Sequence, residues 1–154
     1  MLNSKKISSS LIDMNLSHRF PIRIYWEDTD AGGIVYHANY LRYMERARSD
    51  WLRLVGFEQN RERTNPNGVL FVVASIDIQY HRPAVLDDEL VVVTGIERLG
   101  RASVIFDQKV MRGEELIAQA KVRVGTLSAQ TRYPCALPKS LYDQFNQSLA
   151  LSAS

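Results

Sequence analysis

The sequence has few of the features that mark several large classes of protein. It contains one cysteine, Cys135, so no disulfide can form within the chain, and this composition suits a reducing cytoplasm. No stretch approaches the roughly 18 consecutive apolar residues of a membrane-spanning helix. The net charge is only +2, without the basic excess of a nucleic-acid or anionic-membrane binder. We therefore expect a cytoplasmic protein with no membrane span and no nucleic-acid partner.

The length of 154 residues suits a single domain. Residues 1–18 are polar and lack the apolar core of a signal peptide, so they are predicted to form a disordered N-terminal extension, with Met14 as an alternative start. Residues 19–147 show no internal repeat or linker and are predicted to form one domain. Residues 148–154 are predicted to be a C-terminal tail.

Hydrophobic periodicity predicts one long helix and five strands. Residues 37–55 carry apolar side chains at helical spacing, and Gly56 follows as the expected C-cap. Alternating patterns predict strands over 20–26, 69–81, 89–98, 102–112 and 115–127, and a short helix is predicted over 137–146. Short turns between the last four strands require antiparallel pairing, so the fold class is α+β. One helix covers only one face of such a sheet and leaves its edges open, so we expect a homo-oligomer.

Residues 27–37, which read EDTDAGGIVYH, place three carboxylates and two glycines between the first strand and the long helix. A solvated turn is one interpretation, because Asp, Thr and Gly all favour turns. A phosphatase-like pair formed by Asp28 and Asp30 would need a parallel α/β sheet, which four consecutive strands do not supply. In a third interpretation, backbone N–H groups at the helix start polarise a carbonyl group while a carboxylate attacks it or activates water. That arrangement suits hydrolysis of a thioester.

The same residues carry a resemblance to a known family. Residues 28–40 (DTDAGGIVYHANY) and 43–48 (YMERAR) resemble the hotdog-fold acyl-CoA thioesterases, in the branch of 4-hydroxybenzoyl-CoA thioesterase and its bacterial YbgC-type group associated with the Tol-Pal system. Shorter stretches at 80–84 (YHRPA), 86–88 (LDD) and 136–139 (ALPK) extend the resemblance, which runs from about Phe20 to about Phe145. The resemblance implies a long central helix wrapped by a five-stranded antiparallel sheet. It also implies dimers joined into one continuous sheet, which commonly pair into tetramers.

The resemblance implies roles for particular residues. Asp30 matches the catalytic carboxylate, as general base or nucleophile, and the backbone N–H of His37 matches the oxyanion contact. The side chain of His37 could orient substrate or simply cap the helix. Further candidates for contact with substrate are Gly33, Tyr36, Tyr40 and Glu45, and for contact with the phosphates of coenzyme A they are Arg101 and Ser103. Glu45 could instead be a buried partner for an arginine.

Neither mechanism needs a cofactor or a metal, because coenzyme A is part of the substrate and no histidine has ligand-like spacing. The substrate is expected to be a short-chain or aromatic acyl-CoA. Acyl carrier protein is a further candidate partner, docking on Arg42, Arg46, Arg48 and Arg53 if these are exposed. Two other functions remain open: a hotdog protein that binds acyl-CoA without hydrolysing it, and a hotdog dehydratase or hydratase that pairs His37 with Asp30.

Overall fold

The computed structural model describes residues 17–152, which form one five-stranded sheet and three helices. The elements in chain order are β1 (His18–Arg23), a 3-10 turn (Trp26–Asp28), α1 (Asn39–Leu54), α2 (Gln59–Thr64), β2 (Val69–Tyr80), β3 (Glu89–Leu99), β4 (Ser103–Arg112), β5 (Glu115–Ser128) and α3 (Lys139–Ser152). All strand pairs are antiparallel, and the strand order is β1-β3-β4-β5-β2. The predicted hotdog architecture of a long helix against a five-stranded antiparallel sheet is confirmed.

The long helix α1 forms because its apolar residues recur on one face. That face is buried against the sheet and comprises Tyr40, Tyr43, Met44, Ala47, Arg48 and Leu52. The helix ends in a Schellman motif, in which the Phe57 N–H donates to the Leu52 carbonyl (2.9 Å) and the Gly56 N–H to the Arg53 carbonyl (3.1 Å). Gly56 has φ +89°, a left-handed conformation that glycine adopts without steric cost. The predicted C-cap is therefore confirmed.

Several boundaries differ from those predicted. The first strand was expected over 20–26, but β1 begins at His18 and ends at Arg23. The His18 Nε2–H donates to the Asp50 carboxylate on α1 (2.7 Å). The backbone of Ile24 still forms hydrogen bonds with the loop before β3. The chain then bends into the 3-10 turn, which leaves Trp26 80% exposed. Residues 1–16 of the predicted N-terminal extension lie outside the described residues.

Residues 58–68, for which no helix or strand was predicted, contain the short helix α2, which has no apolar face that sequence periodicity could detect. Tertiary contact holds it instead, since the Glu62 carboxylate accepts the Val69 N–H (2.9 Å). Helix α3 runs to Ser152, past the predicted end at residue 146. Phe145 of α3 packs on Trp51 and Phe106, and no glycine or proline follows in the helix to stop it.

The two edge strands differ in how they meet solvent. β1 carries a proline and two arginines, Arg19 and Arg23, which disfavour pairing with another strand. β2 instead exposes Val72, Val73 and Ile76 by 45%, 43% and 37%. An apolar, unprotected edge of this kind is open to pairing with another strand.

A buried polar network connects α1 to the sheet. Arg48, only 8% exposed, donates to the Gln108 side-chain oxygen (2.7 Å), and the Gln108 amide donates to the Met44 carbonyl and to the Thr94 hydroxyl (both 2.9 Å). Arg48 does not meet the condition of exposure set for the docking candidates, because the neutral side chain of Gln108, distant in sequence, satisfies its guanidinium in the core. The candidate carrier-protein patch therefore keeps only the exposed Arg42, Arg46 and Arg53.

We expect Gln108→Leu to lower the free energy of unfolding by about 2–3 kcal/mol, because it leaves the buried Arg48 guanidinium without its acceptor. The double variant Arg48→Met/Gln108→Leu should recover most of that loss, since replacing both polar partners by apolar groups removes the unpaired charge. Urea unfolding followed by circular dichroism measures both. Equal stability of Gln108→Leu and wild type would show that water replaces the lost acceptor.

Candidate active site

The acidic segment, residues 27–37, contains a tight loop that is closed by backbone hydrogen bonds. Thr29 and Val35 form an isolated antiparallel bridge, and within it the Asp30 N–H donates to the Ile34 carbonyl (3.0 Å). The Gly33 N–H donates back to the Asp30 carbonyl (3.0 Å). Gly33 has φ +79°, so this turn needs a residue that tolerates the left-handed region. The loop therefore holds Asp30 in a defined backbone conformation at the surface.

The carboxylate of Asp30 is exposed, and one of its two oxygens accepts a hydrogen bond. Its Oδ1 accepts the Gly32 N–H (2.8 Å), whereas its Oδ2 has no hydrogen-bond partner within residues 17–152. A Cβ on residue 32 would lie 3.1 Å from Oδ1, so glycine allows the carboxylate to fold back onto this backbone. One oxygen thus orients the group and the other remains available for chemistry.

Asp28 has a different function from Asp30, because its polar atoms hold the loop together. Its carbonyl accepts the Tyr36 N–H and the Asn39 side-chain amide (both 2.9 Å), and its carboxylate accepts the Tyr25 N–H (2.7 Å). Burial and then the nearby Asp28 carboxylate raise the pKa of the Tyr43 hydroxyl well above its ordinary value. These contacts engage the carbonyl and carboxylate of Asp28 within the loop.

His37 lies two residues before the first residue of α1, rather than inside the helix as predicted. Its backbone N–H has no acceptor within residues 17–152, and the N-cap, Ala38, supplies no side-chain cap to the helix start. Uncapped N–H groups and the positive end of the helix dipole favour negative charge at this point. The His37 ring is exposed and lies 4.4 Å, centroid to centroid, from the Tyr36 ring.

The segment before β3 supports the loop from the other side. The Val35 N–H donates to the Ala84 carbonyl (2.9 Å), and Arg112 of β4 bonds both the Pro83 carbonyl (3.2 Å) and the Asp88 carboxylate (2.7 Å). Although burial works to raise the pKa of Asp88, the Val85 N–H and Arg112 hold that pKa below its ordinary value. The C-terminal end of β4 therefore lies at the same end of the molecule as Asp30.

The other candidate substrate contacts lie at different depths. Tyr36 is 45% exposed beside His37, whereas Tyr40 is only 3% exposed and packs against Tyr43 and Tyr80. Glu45 is exposed on α1 and lines a cavity of about 270 Å³ between α1 and the β2 edge. The other residues lining this cavity are Arg48, Ser49, Leu52, Gln59, Phe71, Val73, Phe106 and Val124. Glu45 also favours the charged form of Arg48, whose pKa is lowered by burial.

Arg101 and Ser103 lie at the far end of the sheet from Asp30. Ser103 is the first residue of β4 and Arg101 lies two residues before it, whereas Arg112, at the other end of that strand, contacts the segment beside the acidic loop. Ten residues at about 3.4 Å each separate the two ends by roughly 30 Å. The structure therefore does not bring the candidate coenzyme A contacts and Asp30 together within one chain.

Tyr80 is a residue of the site that the sequence analysis did not single out. Its hydroxyl donates to the His37 carbonyl (2.9 Å), although the two residues lie 43 positions apart in the chain. The sequence indicated only that Tyr80 lies on the apolar side of a strand, which predicts burial but no particular contact.

In the part of the chain that the structure describes, no three His, Cys, Asp or Glu side chains group as metal ligands, and no helix is long and apolar enough to cross a membrane.

Comparison with known proteins agrees with this geometry. Residues 24–145 match the model of the thioesterase-like superfamily. The chain is 41% identical over 130 residues to an acyl-CoA thioester hydrolase YbgC of Escherichia coli, covering 84% of this chain and 96% of that one. It is 39% identical over 127 residues to the acyl-CoA thioesterase YbgC of Haemophilus influenzae, covering 82% and 93%. A crystal structure of a probable thioesterase from Bartonella henselae superposes with a TM-score of 0.75 at 37% identity, covering 79% of this chain and 99% of that one.

An exposed carboxylate on a glycine-bearing loop, next to an uncapped helix start in a hotdog fold, is an arrangement for hydrolysing an activated acyl group. The chain belongs to the thioesterase-like superfamily. It is a thioester hydrolase similar to the YbgC enzymes, and the predicted reaction class is confirmed.

Proposed function

We propose that this protein hydrolyses acyl-CoA thioesters at Asp30, with the His37 N–H as oxyanion donor. The observation that carries the proposal is the pairing on one loop of a carboxylate with one free oxygen and a backbone N–H with no acceptor. The thioester oxygen accepts the His37 N–H, which stabilises the negative charge that develops as the carbonyl carbon becomes tetrahedral. The YbgC relatives are named as acyl-CoA thioesterase and acyl-CoA thioester hydrolase, which supports acyl-CoA as the substrate.

Asp30 has two routes to the same products. As a general base, its free Oδ2 takes a proton from water while the water oxygen attacks the carbonyl carbon. As a nucleophile, Oδ2 attacks the carbon and forms a mixed anhydride that water then hydrolyses. In both routes the carbon–sulfur bond breaks, the thiolate of coenzyme A leaves and is protonated, and the free acid remains. After a single turnover in ¹⁸O-water, label in the Asp30 carboxylate identifies the anhydride route with attack of water on the Asp30 carbonyl, because the general-base route leaves Asp30 unlabelled.

The active form that we propose is a homodimer joined through the exposed edge of β2. Antiparallel pairing of β2 with its copy about a two-fold axis places the Tyr80 end of one strand beside the Val69 end of the other. The Asp30 loop of one protomer then lies near the cavity at Glu45 and near Arg101 of the partner subunit. This arrangement brings together the Asp30 loop and the Arg101 region, which lie toward opposite ends of the sheet in a single chain.

The cavity supports a small acyl group as the substrate. Its volume of about 270 Å³ is below the range of roughly 300–1,000 Å³ typical of pockets for drug-sized ligands. The lining is mainly aliphatic and aromatic, with Glu45, Arg48, Ser49 and Gln59 as polar groups. A short aliphatic or single-ring acyl chain fits this description better than a long chain.

The test is release of free thiol from a panel of acyl-CoAs, from acetyl to palmitoyl and including benzoyl and 4-hydroxybenzoyl, followed with a thiol reagent. We expect turnover of short-chain or aromatic members, with kcat/KM at least about tenfold above that for palmitoyl-CoA, because the long chain exceeds the cavity. Acyl-CoA binding without thiol release from any member would overturn the hydrolytic proposal. Preference for palmitoyl-CoA would overturn the assignment of the cavity.

A further inference from the structure

We propose that Tyr80 is a positioning residue, which holds the His37 carbonyl and so restricts the backbone torsions beside the peptide that presents the oxyanion donor. The inference rests on the proposed role of the His37 N–H. Its basis is the hydrogen bond from the Tyr80 hydroxyl to the His37 carbonyl, 2.9 Å long, made from β2 to the loop before α1.

Among residues 17–152, no backbone N–H donates to the His37 carbonyl. In a regular helix it would accept the N–H of residue 41, but the Leu41 N–H donates to the Ala38 carbonyl instead (3.2 Å). Within residues 17–152 the Tyr80 hydroxyl is therefore the group that satisfies it. The carbonyl and the N–H of His37 belong to successive peptide planes joined at one Cα, so holding the carbonyl restricts the torsion between them.

The Tyr80 side chain is itself held in place. Its ring lies edge-on to His37, with centroids 6.5 Å apart and planes at 89°, and packs on the buried Tyr40 at 5.6 Å. Burial raises the pKa of the Tyr80 hydroxyl, so it remains a protonated donor at neutral pH. Tyr80 is 47% exposed, and these two ring contacts orient its hydroxyl toward the loop before α1.

Tyr80 also connects the site to the exposed sheet edge. It is the last residue of β2, the strand whose apolar residues Val73 and Ile76 face solvent in the isolated chain. Any contact that orders this strand also orders the Tyr80 hydroxyl, and through it the His37 peptide. Assembly through β2 would therefore complete the substrate site and hold the oxyanion donor in place.

The test uses Tyr80→Phe in the full-length enzyme, with the best acyl-CoA of the panel as substrate. We expect kcat to fall about tenfold, less than the roughly 10²–10³-fold loss of an oxyanion donor itself, with KM within twofold of wild type. Elution volume and melting temperature should not change, because the ring and its packing remain. Tyr133→Phe, which removes a hydroxyl from a side chain that is 74% exposed, is the matched control and should leave kcat unaltered.

A second variant separates positioning from a general structural effect. Replacing Tyr80 by 4-aminophenylalanine keeps the ring and a donor in the same place, and it should restore at least half of the lost kcat. Wild-type kcat in Tyr80→Phe would overturn the inference while leaving the proposed function intact, and so would a rise in KM at constant kcat or a lack of rescue. Failure of the proposed function is a separate result, namely a wild-type enzyme that releases no thiol.

Discussion

Asp30→Asn is expected to lower kcat for acyl-CoA hydrolysis by about 10²–10⁴-fold, the size of a lost general base or nucleophile, with KM within about threefold of wild type. The asparagine oxygen can still accept the Gly32 N–H that orients the group, so the loop keeps its shape. The second atom changes from a free carboxylate oxygen to an amide nitrogen, which neither takes a proton from water nor attacks a carbonyl carbon. The loss should therefore fall on the chemical step, measured by thiol release at saturating substrate.

Asp143→Asn is the control, because Asp143 is another exposed carboxylate, paired with Lys139 on α3 and outside the loop. It should keep wild-type kcat and KM. If Asp30→Asn loses less than about threefold, Asp30 is not the reacting group, and the carboxylate of this loop must be assigned to substrate recognition. If both variants lose activity equally, the effect is one of general charge and not of the site.

The elements that the sequence predicted correctly are those whose physical cause is local. The apolar face of α1 recurs at helical spacing, and Gly56 adopts the left-handed conformation that ends the helix, so both could be read from neighbouring residues. The alternating strands from residue 69 onward follow from the period of two and from short turns. The Asp30 loop was found through its glycines and carboxylates, which are also close in sequence.

The features that the sequence did not predict depend on contacts between distant residues. Arg48 is charged and falls within a run of arginines, yet it is buried because Gln108, 60 positions away, accepts its hydrogen bond. Tyr80 reaches His37 across 43 positions. The helix α2 lacks an apolar face and is held by Glu62 against the start of β2. Periodicity carries no information about such pairs.

The separation of Asp30 from Arg101 also depends on how distant parts of the chain pack. It leads to the second prediction with a large expected effect. Ile76→Glu is expected to dissociate the proposed dimer and reduce kcat/KM by more than about 10²-fold. Antiparallel pairing brings two like charges together near the axis, where apolar side chains met, and isolated protomers lack the partner's half of the site. Sedimentation velocity and thiol release measure the two outcomes on the same sample. Leu54→Glu introduces the same charge at a 52% exposed position at the end of α1 and should alter neither.

Mixed dimers test directly whether Asp30 and Arg101 of one site come from different protomers. Asp30→Asn removes the reacting group, and Arg101→Glu is expected to lower kcat/KM at least tenfold by repelling the phosphates of coenzyme A. A heterodimer of these two chains, isolated with different affinity tags, contains one site in which Asp30 and Arg101 are both intact, provided that they come from different protomers. Its kcat/KM should reach about half of the wild-type value, well above either homodimer. If both residues serve one chain, the heterodimer has no intact site, and its kcat/KM will stay at or below half of that of the Arg101→Glu enzyme.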